Sequence, residues 1–247
     1  MLRRVTLTGA DDSVEPGEVL ALGHEYPFVE LGILVGSQEG KHRFPSAKWL
    51  MRFADIAARA KRQVALHVCG KILDGILKRG ECVCPYLGAF ERMQLNFHGE
   101  PANAGGHSLE EHPDARVAMD RKKVFDNIVA AGRATGVHEL IVQLDGVNNW
   151  ILDGLVLHGI RASGLYDVSH GSGTKPAAWP TPNVRWKIGF AGGIGPETIA
   201  EDLAQIAKAA GRQDFWIDME SNLYTDRVFD LAKCRRVLDV CKDFMRQ

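Results

Sequence analysis

The 247-residue chain predicts an α/β fold, a (β/α)8 barrel built as a single domain over residues 1–247. Three observations predict it. Short β-branched runs alternate with longer amphipathic patterns along the whole chain. Eight such pairs in about 250 residues is the size of this barrel. Polar and glycine-rich residues gather after the strands, and no linker or low-complexity stretch divides the sequence. A doubly wound open sheet is the alternative topology.

The first strand is Val5-Thr6-Leu7-Thr8, followed by a short helix near 15–23 and a second strand over 29–35. The helix over 46–62 is the clearest of the early ones, with Trp49, Leu50, Phe53, Ile56 and Ala57 at helical spacing. Strands follow at 64–68 and 93–96, with a short helix near 71–78 between them. The helix over 121–135 carries Val124, Phe125, Ile128 and Val129 and ends near Gly136, a residue suited to a C-cap. Strands at 140–144 and 164–168 flank a short helix at 149–157. The sixth crossover, 169–183, is rich in Gly, Pro and Ser and reads as a functional loop in place of a helix. Strands at 186–190 and 215–219 complete the set. Gly195-Pro196-Glu197 opens a helix between them, with Pro at its first position, and 229–245 forms the closing helix.

The composition excludes several function classes. The 30 Lys+Arg and 31 Asp+Glu residues give a net charge of −1, so no basic field gathers nucleic acid. No apolar run reaches the ~18 residues that span a bilayer. Met1-Leu2-Arg3-Arg4-Val5 has no long apolar segment behind it, so no secretory signal is expected. The five cysteines (Cys69, Cys82, Cys84, Cys234, Cys241) make no disulfide framework, and the reading is a cytoplasmic protein. Cys82-Val83-Cys84 lacks two further zinc ligands at suitable spacing. His107-Ser108-Leu109-Glu110-Glu111-His112 departs from the helical zinc spacing, so no metal is expected there.

In a barrel the chemistry sits at the carboxyl ends of the strands. Gly192-Gly193 permits close backbone approach, and the helix behind Pro196 supplies unpaired N–H groups, which together predict phosphate binding. Asp167 ends the sixth strand and is a candidate general acid or base, as is Asp145 at the end of the fifth. Cys69 ends the third strand beside Lys71, a cation able to activate a thiol. His98 and His170 lie in loops that open on the same end.

These strand-end residues resemble phosphoribosylanthranilate isomerase. Tyr166-Asp167, Gly171-Ser172-Gly173-Thr174-Lys175 and Trp179 resemble the family's Asp, its GGTG loop and a Trp. Phe190-Ala191-Gly192-Gly193-Ile194-Gly195-Pro196-Glu197 resembles its LAGGL-x-PEN stretch, and Asp218-Met219-Glu220-Ser221-Asn222 its DxSSG segment. Gln94-Leu95-Asn96-Phe97-His98-Gly99-Glu100 resembles QLHG, Arg43 falls in the S-x-R loop, and Val5-Thr6-Leu7-Thr8-Gly9 stands where the family has K-I-C-G. The resemblance implies an Amadori rearrangement of an aldose amine 5-phosphate, a step of tryptophan biosynthesis, with neither metal nor organic cofactor. It implies that Asp167 is the acid that opens the furanose ring. It places Thr8 at the position of the family's basic Cys, although a Thr hydroxyl is a far poorer base, so Asp145 and then Cys69 are the replacements. It also implies that Arg43, Gly173, Gly192, Gly193, Ser221 and Asn222 bind substrate or its phosphate. Glu220, where the family has Ser, is unfavourable beside a phosphate unless it meets a cation.

The expected partner is thus a small phosphorylated substrate, taken by a monomer or homodimer without nucleic acid or membrane. Two alternatives remain open: a lyase, epimerase or aldolase acting on another phosphorylated compound, and a non-catalytic ligand-binding barrel.

Overall fold

The computed structural model describes residues 1–61, 63–84, 86–96, 120–167, 169 and 172–245. Eight parallel strands close into a barrel in sequence order: β1 (Leu2–Thr8), β2 (Val29–Val35), β3 (Val64–Val68), β4 (Arg92–Leu95), β5 (Glu139–Leu144), β6 (Ala162–Tyr166), β7 (Lys187–Phe190) and β8 (Phe215–Met219). β1 pairs on one side with β2 (Thr6 opposite Glu30) and on the other with β8 (Thr6 opposite Asp218), which closes the ring. The helices are α1 (Pro16–Glu25), α2 (Ala47–Ala60), α3 (Gly70–Arg79), α4 (Arg121–Thr135), α5 (Asn149–Leu157), α6 (Ile199–Ala210) and α7 (Leu231–Met245).

Local chemistry sets the helix ends. The Ser46 hydroxyl accepts from the Trp49 N–H at 3.3 Å and starts α2, one residue later than the hydrophobic spacing suggests. Asp120 caps the Lys122 N–H at 2.9 Å, and Gly136 ends α4 in the left-handed region (φ 69°). α2 buries Trp49, Leu50, Phe53, Ala54 and Ala57, its apolar stripe, and each large side chain contributes about 1.5–3 kcal/mol by leaving water.

The strands obey period two. In β2, Val29, Leu31, Ile33 and Val35 join the main core under the helices, while Glu30, Gly32 and Leu34 turn to the barrel axis. The axis holds two layers below the mouth. The lower layer is ionic: fully buried Glu30 accepts from Arg4 (2.9 Å), Thr6 (3.0 Å) and Arg92 (2.8 Å), and Arg92 also pairs with Glu139 at 3.1 Å. The next layer is apolar and consists of Ile141, Leu165, Ala191 and Trp216. The Arg92 guanidinium lies 4.5 Å over the Trp216 ring and joins the two layers. A Cβ at Gly189 would stand 2.2 Å from that ring, so only glycine admits the indole.

Three local expectations are corrected. α6 begins at Ile199 rather than at Pro196, because residues 196–198 form turns closed by Thr198 and Ile199 N–H groups on the Gly195 carbonyl. β6 runs Ala162–Tyr166, two residues earlier than its hydrophobic run suggests. The last helix begins at Leu231, because β9 (Tyr224–Thr225) and β10 (Val228–Phe229) form an antiparallel hairpin instead. Its turn residues Asp226 (φ 47°) and Arg227 (φ 66°) both take the left-handed conformation that a two-residue hairpin loop demands. The described residues between β6 and β7 contain no helix, as the Gly/Pro/Ser composition predicts.

Candidate active site

The carboxyl ends of the strands open into a cavity of about 650 Å³. Side chains projecting from β3, β4, β5 and β8 supply its depth: His67, Gln94, Gln143 and Asp218. Loops after β6, β7 and β8 form one end and the loop after β2 with the β9–β10 turn the other.

The first end is built from close backbone approach. A Cβ at Gly173 would stand 2.9 Å from Ser221 Cβ, and one at Gly193 2.8 Å from the Lys175 N atom, so the three loops can nest only with glycine there. Gly173, Gly192 and Gly193 all have positive φ. The Asn222 side-chain amide donates to the Gly193 carbonyl at 2.9 Å and ties the β8 loop to the β7 loop. Among the described residues, the N–H groups of Gly193 and Ser221 have no hydrogen-bond partner. Lys175 pairs with fully buried Asp202 of α6, which anchors the sixth loop against Gly193. Concave unpaired amides of this kind suit an oxyanion.

Asp167 lines the wall beside this end. Its Oδ1 accepts from Ser169 N (2.9 Å) and Oγ (2.6 Å), and its Oδ2 from the Gln143 amide (3.0 Å). Asp218 lies deeper. Its Oδ1 accepts from Thr8 Oγ1 at 2.7 Å, and its Oδ2 stands 4.0 Å from His67 Nδ1. Burial holds the Asp218 carboxyl well above the usual carboxylate range against the Thr8 bond, and the negative charges of Glu220, Asp167 and Glu30 push the same way. His67 is pulled down to about 3 by burial and by the Arg92 charge, so it is a neutral imidazole. Its Nε2 has no partner among the described residues. Glu220 meets a cation: Arg43 Nη1 donates to its Oε1 at 2.7 Å. Burial nevertheless raises the Glu220 carboxyl, with Asp167 adding to the effect and Arg43 opposing it.

The cavity therefore brings together eight of the sequence candidates: Asp167, Cys69, Arg43, Gly173, Gly192, Gly193, Ser221 and Asn222. Two others lie elsewhere. Thr8 is buried and spends its hydroxyl on Asp218. The Asp145 carboxylate accepts from the Val147 N–H at 3.2 Å, the role of a turn-forming Asp. Cys69 lines the cavity, but burial pushes its thiol up to about 12, with Glu220 raising it further and Arg43 lowering it. The cation acting on it is thus Arg43 rather than Lys71, and the thiolate is absent near neutral pH. His98, His170 and the 107–112 segment lie outside the described residues. Cys82 and Cys84 are free thiols, pushed up by burial to about 11 and about 12.

Sequence reasoning passed over His67, Gln143 and Asp218 as site residues. The signal was the inward parity of each strand: a polar residue at the last inward position of a barrel strand faces the mouth.

No family model matches the chain, and no curated protein matches it in sequence. Solved barrels do match. A phosphoribosyl anthranilate isomerase in complex with reduced 1-(o-carboxyphenylamino)-1-deoxyribulose 5-phosphate aligns over 98% of this chain and 100% of its own, at 13% identity and TM-score 0.55. The isomerase of Thermotoga maritima aligns over 98% and 99% at 12% identity and TM-score 0.52. A GH18 chitinase from Pseudoalteromonas aurantia reaches the same TM-score, 0.52, at 9% identity over 94% and 99%. An isomerase and a glycosidase fit equally, so the likeness is one of fold: the chain is a TIM barrel.

Proposed function

We propose that this barrel is a cofactor-independent enzyme that isomerises a small phosphorylated sugar amine, converting an aldose amine 5-phosphate into its 1-amino-1-deoxyketose by proton transfer. The observation that carries the reading is the shared cavity: Asp167 lines the same space as Gly193 and Ser221, whose N–H groups have no partner among the described residues. The amides grip the phosphate, and the carboxyl works at the sugar. Gly173 and Gly192 permit the loops to close on it, Asn222 holds the Gly193 peptide in place, and Arg43 neutralises Glu220 so that a phosphate is not repelled. The reading carries with it a cytoplasmic monomer or homodimer and, in one instance of the reaction, a place in tryptophan biosynthesis.

One observation favours a second reading, an epimerase, aldolase or lyase on the same phosphate grip. Thr8 faces Asp218 rather than substrate, so the basic group of the resembled family has no counterpart at its own position.

The test is turnover of phosphoribosylanthranilate, together with binding of reduced 1-(o-carboxyphenylamino)-1-deoxyribulose 5-phosphate and of inorganic phosphate. Turnover is expected in the native chain. Asp167→Asn is expected to lower it at least about 100-fold while phosphate affinity stays within about threefold. Binding of inorganic phosphate with no turnover of the isomerase substrate supports the second reading.

A further inference from the structure

We propose that Asp218 and Asp167 divide the proton transfers between them, Asp218 as the acid that opens the sugar ring and Asp167 as the base that takes the proton from carbon, the reverse of the role that resemblance implies for Asp167. The inference rests on the function proposed above and deepens it.

The hydrogen bonds separate the two groups. Asp167 is surrounded by donors: Ser169 N, Ser169 Oγ and Gln143 Nε2 all point at its two oxygens, between 2.6 and 3.0 Å. Such a shell offers donors only, so both Asp167 oxygens act as hydrogen-bond acceptors, the arrangement a base needs. Asp218 has one donor, Thr8. Among the described residues its Oδ2 accepts no hydrogen bond, which leaves that oxygen to carry the proton. The groups facing it compensate no charge. From β2 comes Glu30, from β3 the neutral His67, and from the strand ends Glu220 and Asp167. Two arginines of the barrel interior and its mouth are engaged with other carboxylates, Arg92 with Glu30 and Glu139 and Arg43 with Glu220. The upward displacement of the Asp218 carboxyl by burial agrees with this geometry. Two carboxyls with different hydrogen-bonding surroundings in one site are the usual basis for dividing an acid and a base between them.

The space for this arrangement is made at β2. A Cβ at Gly32 would lie 2.3 Å from Thr8 Oγ1 and 2.8 Å from His67 Nε2, so glycine alone lets both side chains reach Asp218. Thr8 and His67 are positioning residues.

The steps balance. The Asp218 carboxyl gives its proton to the ring oxygen as the bond from that oxygen to C1 breaks, and the nitrogen lone pair forms the iminium. The Asp167 carboxylate takes the C2 proton, the C–H electrons form the C1–C2 double bond, and the iminium electrons return to nitrogen. The Asp218 carboxylate then accepts the proton of the C2 hydroxyl while Asp167 returns its proton to C1, giving the ketone and restoring both groups.

The test compares two compounds with the native chain, Asp218→Asn and Asp167→Asn. One is the cyclic aldosylamine phosphoribosylanthranilate. The other is a 4-deoxyaldose 5-phosphate, which cannot close a furanose ring and reports C2 proton exchange with D2O by NMR. Asp218→Asn is expected to lower turnover of the cyclic compound at least about 100-fold and to leave exchange on the open one within about threefold. Asp167→Asn is expected to lower both at least about 100-fold. Binding of inorganic phosphate, unchanged in both variants, shows that the site is folded. Loss of exchange in Asp218→Asn, retention of exchange in Asp167→Asn, or full cyclic turnover in Asp218→Asn overturns the assignment while leaving the proposed function standing. A native chain that processes neither compound overturns both.

Discussion

At the scale of single residues, the site is decided by what stands next to a side chain more than by its type. Thr8 sits at the position of a catalytic thiol in the family the sequence resembles, yet its hydroxyl is consumed at 2.7 Å by Asp218. Cys69 sits at a strand end and lines the cavity, yet burial keeps it a thiol. Glu220 looks hostile to phosphate and is neutralised by Arg43. Gly32 is the residue on which this neighbourhood turns. Gly32→Ala places a methyl group against Thr8 Oγ1 and His67 Nε2, at 2.3 and 2.8 Å, so one or both side chains must shift from their place beside Asp218. The variant is expected to lose about 1–3 kcal/mol of stability, measured by urea unfolding, and at least about tenfold in turnover. An Ala variant with native turnover would show that Thr8 and His67 do not position Asp218.

At the scale of elements, the strands carry a polar axis that hydrophobic patterning could not reveal. The run Val29 to Val35 reads as a buried strand, and its outward Val, Leu and Ile residues made the fold legible. The parity of Glu30, Arg92 and Glu139 says only that they share the inward face; that they form one ionic layer depends on the register of β2, β4 and β5, which one sequence does not encode locally. The hairpin Tyr224–Phe229 escaped for a related reason: Val228-Phe229 extends an apolar period that serves helix or strand, and tertiary contact chose strand. The ionic layer has a measurable consequence. Arg92 is 4% exposed and compensates two carboxylates at once. Arg92→Ala leaves Glu30 buried with only half-exposed Arg4 as a charged partner and removes the platform under Trp216. The variant is expected to lose about 3–5 kcal/mol, seen as a fall in Tm of ~10 °C. A fall below ~2 °C would mean that Arg4 alone suffices.

At the scale of the whole molecule, the barrel couples its mouth to its stability through pH. The barrel itself was legible because strand and helix periods alternate throughout; the polarity of its interior was not, because proton affinities follow from burial and neighbours. His67 binds its proton near 6.5 when unfolded and near 3 when folded, since burial and Arg92 oppose its charge. The unfolded chain therefore holds more protons between those values, and His67 makes stability fall as pH drops from about 6.5 toward about 3. Asp218 has the opposite sign. Its folded carboxyl is raised well above 3.8, so the folded chain holds the extra proton, and its contribution is lost as pH rises above 3.8 and through the raised value. Each group contributes a slope of at most about 1.4 kcal/mol per pH unit. Two variants separate them in thermal melts taken from pH 4 to pH 9. His67→Gln, which keeps a neutral polar group, is expected to flatten the acid side, so that its Tm falls less than that of the native chain between pH 6.5 and pH 4. Asp218→Asn is expected to flatten the alkaline side and to melt above the native chain at neutral pH, because the amide fills the same space with no charge to bury. A group kept in the site although its removal stabilises the fold is retained for chemistry. An Asp218→Asn chain that melts lower than the native one at every pH would instead make Asp218 a structural carboxylate, and the acid of the reaction would have to be sought elsewhere in the cavity.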